Sequence, residues 1–347
     1  MGSKYPLTVT LIIPGLCAFT PEERLALRPQ LPDLPALSDL LSHSRLNSYA
    51  QWGFESVLCA RFGMPLPQPP PLAALTYWYD KGFAANKPVL RADPVYLKVD
   101  RDCLYLLGRE ALEVSQAEAD TLTNQINQLY SDTSWTLEVG TANRWYITGE
   151  QPFNIKTFPI AEAFGKNVAA FMPQGEDAKQ WRAVLNEIQM LLHSSEVNIA
   201  REMNRRLPIN SVWLWGEGQL PASPANPMDE VDCVWSDNAL CRGLARWAGC
   251  RNEKLPHSAS EWIELADTGR HWIVFEDMRM SAREDFSSWI SKLTAIDENW
   301  LAYMRDAANV HRLQLSIDPA KAAVFEYDKS LWSKLWNKKR SWYDCIQ

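Results

Sequence analysis

Hydrophobic positions fall into short blocks whose spacing changes along the chain. Leu7 to Ile13 is an apolar, β-branched run closed by Pro14-Gly15, the pattern of a buried strand that ends in a turn. Thr20-Pro21-Glu22-Glu23 then reads as a helix start, with Thr20 capping, Pro21 in the first turn and Glu23 placed for a capping box. A second helix is expected over Pro35 to Ser42. Five prolines in the seven residues from Pro65 to Pro71 exclude helix and central strand and predict an extended connector.

From Pro94 the period shortens. Val95 to Val99 and Cys103 to Leu107 read as strands joined by an Asp100-Arg101-Asp102 turn. Ser115-x-x-Glu118 is a second capping box, opening a helix with Ala119, Leu122, Ile126 and Leu129 on one face. Trp135 to Val139 and Arg144 to Thr148 read as two more strands. Trp181, Val184, Leu185, Ile188, Leu191 and Leu192 form an apolar stripe that predicts a helix from Ala178 to His193, with His193 favoured by the helix dipole at its last position. Strands follow at Ile209 to Trp215, Trp272 to Phe275, Leu313 to Ile317 and Ala323 to Tyr327. Gly243 to Ala248 is expected in a helix, and Ser281-x-x-Glu284 is expected to cap a long one carrying Phe286, Trp289, Ile290, Leu293, Ile296, Trp300 and Tyr303. Strands alternating with long helices predict a layered α/β sheet. The strand–strand–helix–strand–strand block predicts an α+β unit set into it. The expected division is a core of 1–90 and 161–347 with an inserted domain of 91–160.

Composition narrows the function classes. The 347 residues carry 42 acidic and 35 basic side chains, a net charge of −7, so a dedicated nucleic-acid binder is not expected. The chain is tryptophan-rich, with sixteen indoles, which predicts large aromatic cores. The seven cysteines are scattered without a C-x-x-C pair, which points to free thiols in a reducing cytoplasm. Leu7 to Phe19 is too short for a membrane span and lacks a cleavage site, so a soluble, cytoplasmic protein is expected. Lys329 to Gln347 is basic and interleaved with Trp332, Trp336 and Trp342, which reads as a docked terminal segment.

In open α/β sheets ligands bind beyond the carboxyl ends of the strands. The loops after Ile13, Trp215, Phe275 and Ile317 therefore carry the candidate chemistry: Gly15, the Gly216-Glu217-Gly218 turn, Glu276 with Asp277, and Asp318. The glycines read either as a close backbone approach to a ligand or as a tight turn. Glu276-Asp277 could bind a divalent cation or act as acid and base. No G-x-S-x-G elbow is present, and His43, His193, His257, His271 and His311 stand apart in sequence.

A longer pattern carries a resemblance. Leu185-Asn186-Glu187-Ile188, Glu196-Val197-Asn198-x-x-Arg201 and Leu207-Pro208-Ile209-Asn210-Ser211-Val212-Trp213-Leu214-Trp215-Gly216-Glu217-Gly218-x-Leu220-Pro221 look like the archaeal-type cofactor-independent phosphoglycerate mutases of the alkaline phosphatase superfamily. Ser236-Asp237-x-Ala239-Leu240-x-Arg242-Gly243-Leu244 and Arg91-Ala92-Asp93-Pro94-Val95-Tyr96-Leu97 resemble further segments of that family. A bacterial group described as phosphoglycerate-mutase-like or regulatory shares the R-A-D-P and N-S-V-W-L-W-G segments. The resemblance implies an alkaline-phosphatase-like α/β core with an inserted α+β domain, a serine nucleophile and two divalent metals held by Asp and His.

This chain departs where that chemistry is expected. The first strand ends in Pro14-Gly15-Leu16 rather than a Gly-Asp-Gly-like turn. Pro70-Pro71-Leu72-Ala73-Ala74 holds no serine, Met278 to Asp285 no histidine, and the late Asp-His pair becomes Asp318-Pro319. The resemblance with these departures predicts a pseudoenzyme: no catalytic residue, no metal ligand and no cofactor, with a regulatory or ligand-binding role. The alternatives are an active phosphotransferase or isomerase using Asp237, Glu276, Asp277 and Asp318 with a divalent metal, or a protein-interaction module. Candidate ligand-binding residues are Arg91, Asn198, Arg201, Asn210, Trp213, Gly216, Gly218, Asp237, Asp277 and Asp318. A small anionic ligand is the expected partner, held in a polar pocket lined by Arg91 or Arg201 near Trp213, because buried Arg and Asn need partners and Arg suits phosphate or carboxylate. Neither nucleic acid nor a membrane is expected as a partner.

Overall fold

A computed structural model of the chain describes residues 7–48, 53–65, 69–100, 103–107, 112–224, 231–275, 278–279, 282, 285–310, 313–321, 323–328 and 340–346. Two compact units emerge, Met1–Met64 with Ser223–Gln347, and Pro65–Ala222. The second is wider on both sides than the expected 91–160, because the strand Ser211–Gly218 pairs with Val89–Asp100 and so draws its flanking helices into the same unit.

The first unit is built on a seven-stranded sheet. Its strands are β1 (Leu7–Ile12), β2 (Ser44–Ser48), β8 (Cys233–Trp235), β9 (Arg251–Glu253), β10 (Arg270–Val274), β11 (Leu313–Asp318) and β12 (Ala323–Tyr327), in spatial order β2-β12-β11-β1-β10-β8-β9. β1 lies parallel to both β10 and β11, with Leu11 opposite Ile273 and Ile317. β8 is parallel to β10 and β9, whereas β12 runs antiparallel to β11 and β2. A parallel strand covered on both faces is apolar along its length, and Val9, Leu11 and Ile12 are fully buried. This is the layered α/β core that the resemblance implies.

Local helix signals hold in this unit. Thr20 and Glu23 close both bonds of the capping box at Pro21–Leu27. Pro35–Ser42 has no cap of its own, and Asp297, far along the chain, supplies one by accepting from the amides of Ala36 (3.3 Å) and Leu37 (2.7 Å). Asp297 opens a single π-helical stretch, Asp297–Leu301, between the helices Phe286–Ile296 and Ala302–Asn309. Asp285 caps Phe286–Ile296 through the Ser288 amide; the expected cap, Ser281 with Glu284, lies outside the described residues. Much of the aromatic weight is core, and Trp262, Trp289 and Trp342 are almost wholly buried. Trp342 donates to the Pro32 carbonyl at 3.0 Å and tilts onto Trp289, so this part of the terminal segment docks on its own unit. Residues 329–339, with Trp332 and Trp336, lie outside the described residues.

The second unit carries β3 (Val89–Asp100), β4 (Cys103–Leu107), β5 (Trp135–Thr141), β6 (Arg144–Gly149) and β7 (Ser211–Gly218), in order β4-β3-β6-β5 with β7 paired antiparallel to β3 over Val89–Val95. β3 begins six residues before the Val95 that the sequence pattern suggests. Pro94 reads as a break, yet it lies within the register that β3 shares with β7, opposite Val212, and outside the stretches paired with β6 (Val89–Arg91) and β4 (Tyr96–Asp100). Arg101 and Asp102 lie outside the described residues. The helix Gln116–Leu129 starts at the Ser115–Glu118 capping box, and Ala178–His193 buries Trp181, Val184, Leu185, Ile188 and Leu192 as its stripe predicts. Among the described residues no helix is long and apolar enough to cross a membrane.

Candidate functional site

The carboxyl edge of the first unit's sheet is where a doubly wound fold presents its chemistry. At the end of β1 the chain turns through Pro14-Gly15-Leu16. Gly15 takes φ +91°, and a Cβ there would lie 2.7 Å from the carbonyl carbon of Met278 and 2.8 Å from the Arg279 nitrogen, so only glycine fits. The Met278 amide donates to Pro14 O at 3.1 Å and the Trp289 indole to Gly15 O at 3.1 Å. Ile13, Leu16, Phe275, Met278 and Trp289 belong to one buried apolar cluster. The end of the central strand is thus packed with hydrocarbon.

Asp318 ends β11 with its side chain fully buried. Arg61, the last residue of the helix Phe54–Arg61, brings Nη2 to 2.7 Å from Oδ2, and the Ala320 amide donates to Oδ1 at 2.7 Å. Ala320 itself sits at φ +54°, a conformation that places its N–H under the carboxylate. Beside this pair, Arg279 binds Glu55 at 2.6 Å and lies over the Phe54 ring. The nearby thiols are held protonated: burial pushes Cys17 up to about 11, against the pull of Lys321 and Arg24, and Cys59 up to about 12.

At the end of β8, Ser236 donates to Val274 O and Asn238 caps Ala239–Trp247 through the amides of Leu240 and Cys241. Asp237, between them, is exposed. Glu276 and Asp277 lie outside the described residues. Among the described residues no three His, Cys, Asp or Glu side chains stand together as a metal-holding group.

The remaining candidates fall in the second unit, and most are engaged by the protein itself. Arg91 is 2% exposed. It binds Asp93 through Nε (2.9 Å) and Nη2 (2.7 and 2.6 Å), donates to Thr76 at 3.2 Å, and lies against the Tyr146 and Trp215 rings. Trp215 Nε1 completes the set on Asp93 Oδ2 at 2.9 Å. Arg201 donates to the carbonyls of Leu207 and Leu112 and to Glu118. Asn198 joins Leu192 O and both backbone groups of Ile209, while Asn210 bonds both backbone groups of Leu97. Trp213 donates to Phe158 O at 2.9 Å. The expected pocket beside Arg91 or Arg201 therefore gives way to saturated protein contacts: each buried donor found a partner, but the partner is the chain.

The glycines answer to packing as well. A Cβ on Gly216 would lie 3.0 Å from Leu72 Cβ and 3.1 Å from Ala73 N, and one on Gly218 would lie 2.9 Å from Pro71 Cβ. The close approach they allow is to the start of the helix Leu72–Lys81, the segment where the resemblance places a nucleophile. Between them Glu217, 5% exposed, accepts from the Thr157 amide at 3.1 Å and from its hydroxyl. Burial pushes its carboxyl above the usual range, with the Thr157 bonds acting against the shift. Sequence reasoning singled out neither Arg61 nor Glu217 as a site residue. Glu217 stood in the sequence only as the middle of the turn between the two candidate glycines, and no signal marked Arg61.

No protein-family model matches the chain. It is similar to the 2,3-bisphosphoglycerate-independent phosphoglycerate mutase 2 of Methanothermobacter thermautotrophicus, 30% identical over 149 residues, 41% of this chain and 37% of that one. It is 24% identical over 253 residues to a probable mutase of the same kind from Geobacter sulfurreducens, covering 72% of this chain and 60% of the relative. The match to the Methanosarcina mazei mutase is 24% over 161 residues, 45% and 40% of the two chains. The chain thus matches between about a third and three fifths of the length of these relatives. In structure it is similar to the PH0037 protein from Pyrococcus horikoshii, with a TM-score of 0.55 at 13% identity over 92% of this chain and 87% of that one, a likeness of fold. In sequence the chain is thus similar, at low identity and over part of its length, to 2,3-bisphosphoglycerate-independent phosphoglycerate mutases.

Proposed function

We propose that this phosphoglycerate-mutase-like chain is a regulatory or ligand-binding protein and not a two-metal phosphotransferase. The observation that carries this reading is the state of Asp318. In the family it resembles, this strand end supplies a metal ligand; here the carboxylate is neutralised by Arg61 at 2.7 Å and capped by the Ala320 amide. A guanidinium and a hydrogen bond already balance its charge, and a dication beside Arg61 would meet repulsion where a metal site needs converging anions. The described residues therefore do not fit a two-metal centre. Two further features favour the same reading. Gly15 and its apolar roof occupy the end of β1, and Leu72, Ala73 and Ala74, all buried, stand where the nucleophile is implied.

The test is interconversion of 2- and 3-phosphoglycerate with manganese supplied. The expected result is a rate no higher than the no-enzyme control. Turnover that survives repurification and falls in Asp318→Ala would overturn the reading in favour of an active isomerase.

A further inference from the structure

A second feature of the first unit lies apart from Asp318. The helix Pro21–Leu27 and the residues around Trp342–Cys345 line a half-open cleft of about 390 Å³. That is within the range of sites for small organic molecules. Its apolar wall is Pro21, Leu25 and Ile346, and its polar groups are Arg24, Arg28, Tyr343 and Asp344.

The polar groups are unevenly satisfied. Arg24 is 8% exposed, and its Nη1, shielded from water, has no hydrogen-bond partner among the described residues. A buried donor left unmade costs more than a typical hydrogen bond contributes; Nη1 itself is closed off from the cleft, and an acceptor in the cleft meets Arg24 at the part of its side chain that lines it. Arg28 lies over the Tyr343 ring at 5.3 Å and reaches Asp344 only at 3.5 Å, with both side chains about half exposed. Two guanidinium groups against one carboxylate leave the cleft with one net positive charge. A planar guanidinium binds oxyanions through paired N–H donors. The hydrocarbon wall opposite favours a ligand with an apolar body over a bare ion.

We propose that this cleft binds a small organic carboxylate, its oxygens toward Arg24 and Arg28 and its hydrocarbon part along Pro21, Leu25 and Ile346. The site uses none of the residues at the strand ends, so it stands independently of the reading of Asp318.

Calorimetric titration of the full chain with octanoate, benzoate and inorganic phosphate tests it. The expected result is saturable binding of at least one carboxylate, at least tenfold tighter than phosphate. Arg24→Met is expected to weaken that binding by tenfold or more with no loss of melting temperature, since it removes an unmade donor. Leu25→Glu, at a position 70% exposed, keeps the fold and sets a like charge at the wall, and it too is expected to abolish binding. Absence of saturable binding of either carboxylate overturns the proposal. So does carboxylate binding that both variants leave unchanged, and phosphate binding as tight as the carboxylates refutes the apolar-body assignment.

Discussion

Replacing Arg61 by glutamine removes the guanidinium 2.7 Å from Asp318 and leaves a fully buried carboxylate that still accepts from the Ala320 amide. Breaking a buried pair from one side costs about 3–5 kcal/mol, because the surviving charge stays desolvated. The amide bond to a charged acceptor, worth about 1.5–3 kcal/mol, persists and brings the expected loss toward the lower end, near 3 kcal/mol. Asp318→Asn acts differently. Arg61 is 24% exposed and can turn toward water, so about 1–2 kcal/mol is expected from that side. The asymmetry is the signature of a pair in which one partner alone is trapped. Hydrogen exchange read on peptides covering β1 and β11 reports the opening of this unit without mixing in the second. The reasoning fails if Arg61→Gln costs under about 1 kcal/mol, or if Asp318→Asn costs more than Arg61→Gln.

Two other perturbations follow from the same geometry. Burial raises the Glu217 carboxyl above its unfolded value, so its contribution to stability is complete below the usual carboxylate range near pH 4 and is lost as pH rises through the folded-state value. Glu217→Gln is accordingly expected to flatten the decline of melting temperature above that range, and a profile parallel to the wild type would contradict this. Gly15→Ala drives a Cβ to within 2.7 Å of backbone at a left-handed φ and is expected to destabilise by about 2–4 kcal/mol in urea unfolding; a loss below about 1 kcal/mol would mean the turn can relax.

What the sequence made legible was local. The Thr20–Glu23 and Ser115–Glu118 boxes and the stripe of Ala178–His193 each depend on residues within a few turns, and each appears as expected. Asp297 capping Pro35–Ser42, and Arg61 meeting Asp318, depend on contacts across most of the chain, for which one sequence carries no signal. Cys233–Trp235 is a strand of three residues, too short for periodicity to show. In the candidate site buried Arg and Asn do find partners, as Arg91, Arg201, Asn198 and Asn210 show. A ligand and the chain's own groups satisfy the same donors, so residue type alone carries no signal of which one is bound.

The central claim is that Arg61, and not a metal ion, balances Asp318. Anything that binds the native state raises stability by RT ln(1 + [L]/Kd), about 4 kcal/mol at a thousandfold excess over Kd, which is a shift of several degrees in a chain of this size. Melting temperature measured with and without millimolar manganese, on the wild type and on Asp318→Asn, reads this directly. The account predicts the same small response in both proteins. A rise of several degrees in the wild type that disappears in Asp318→Asn would contradict it.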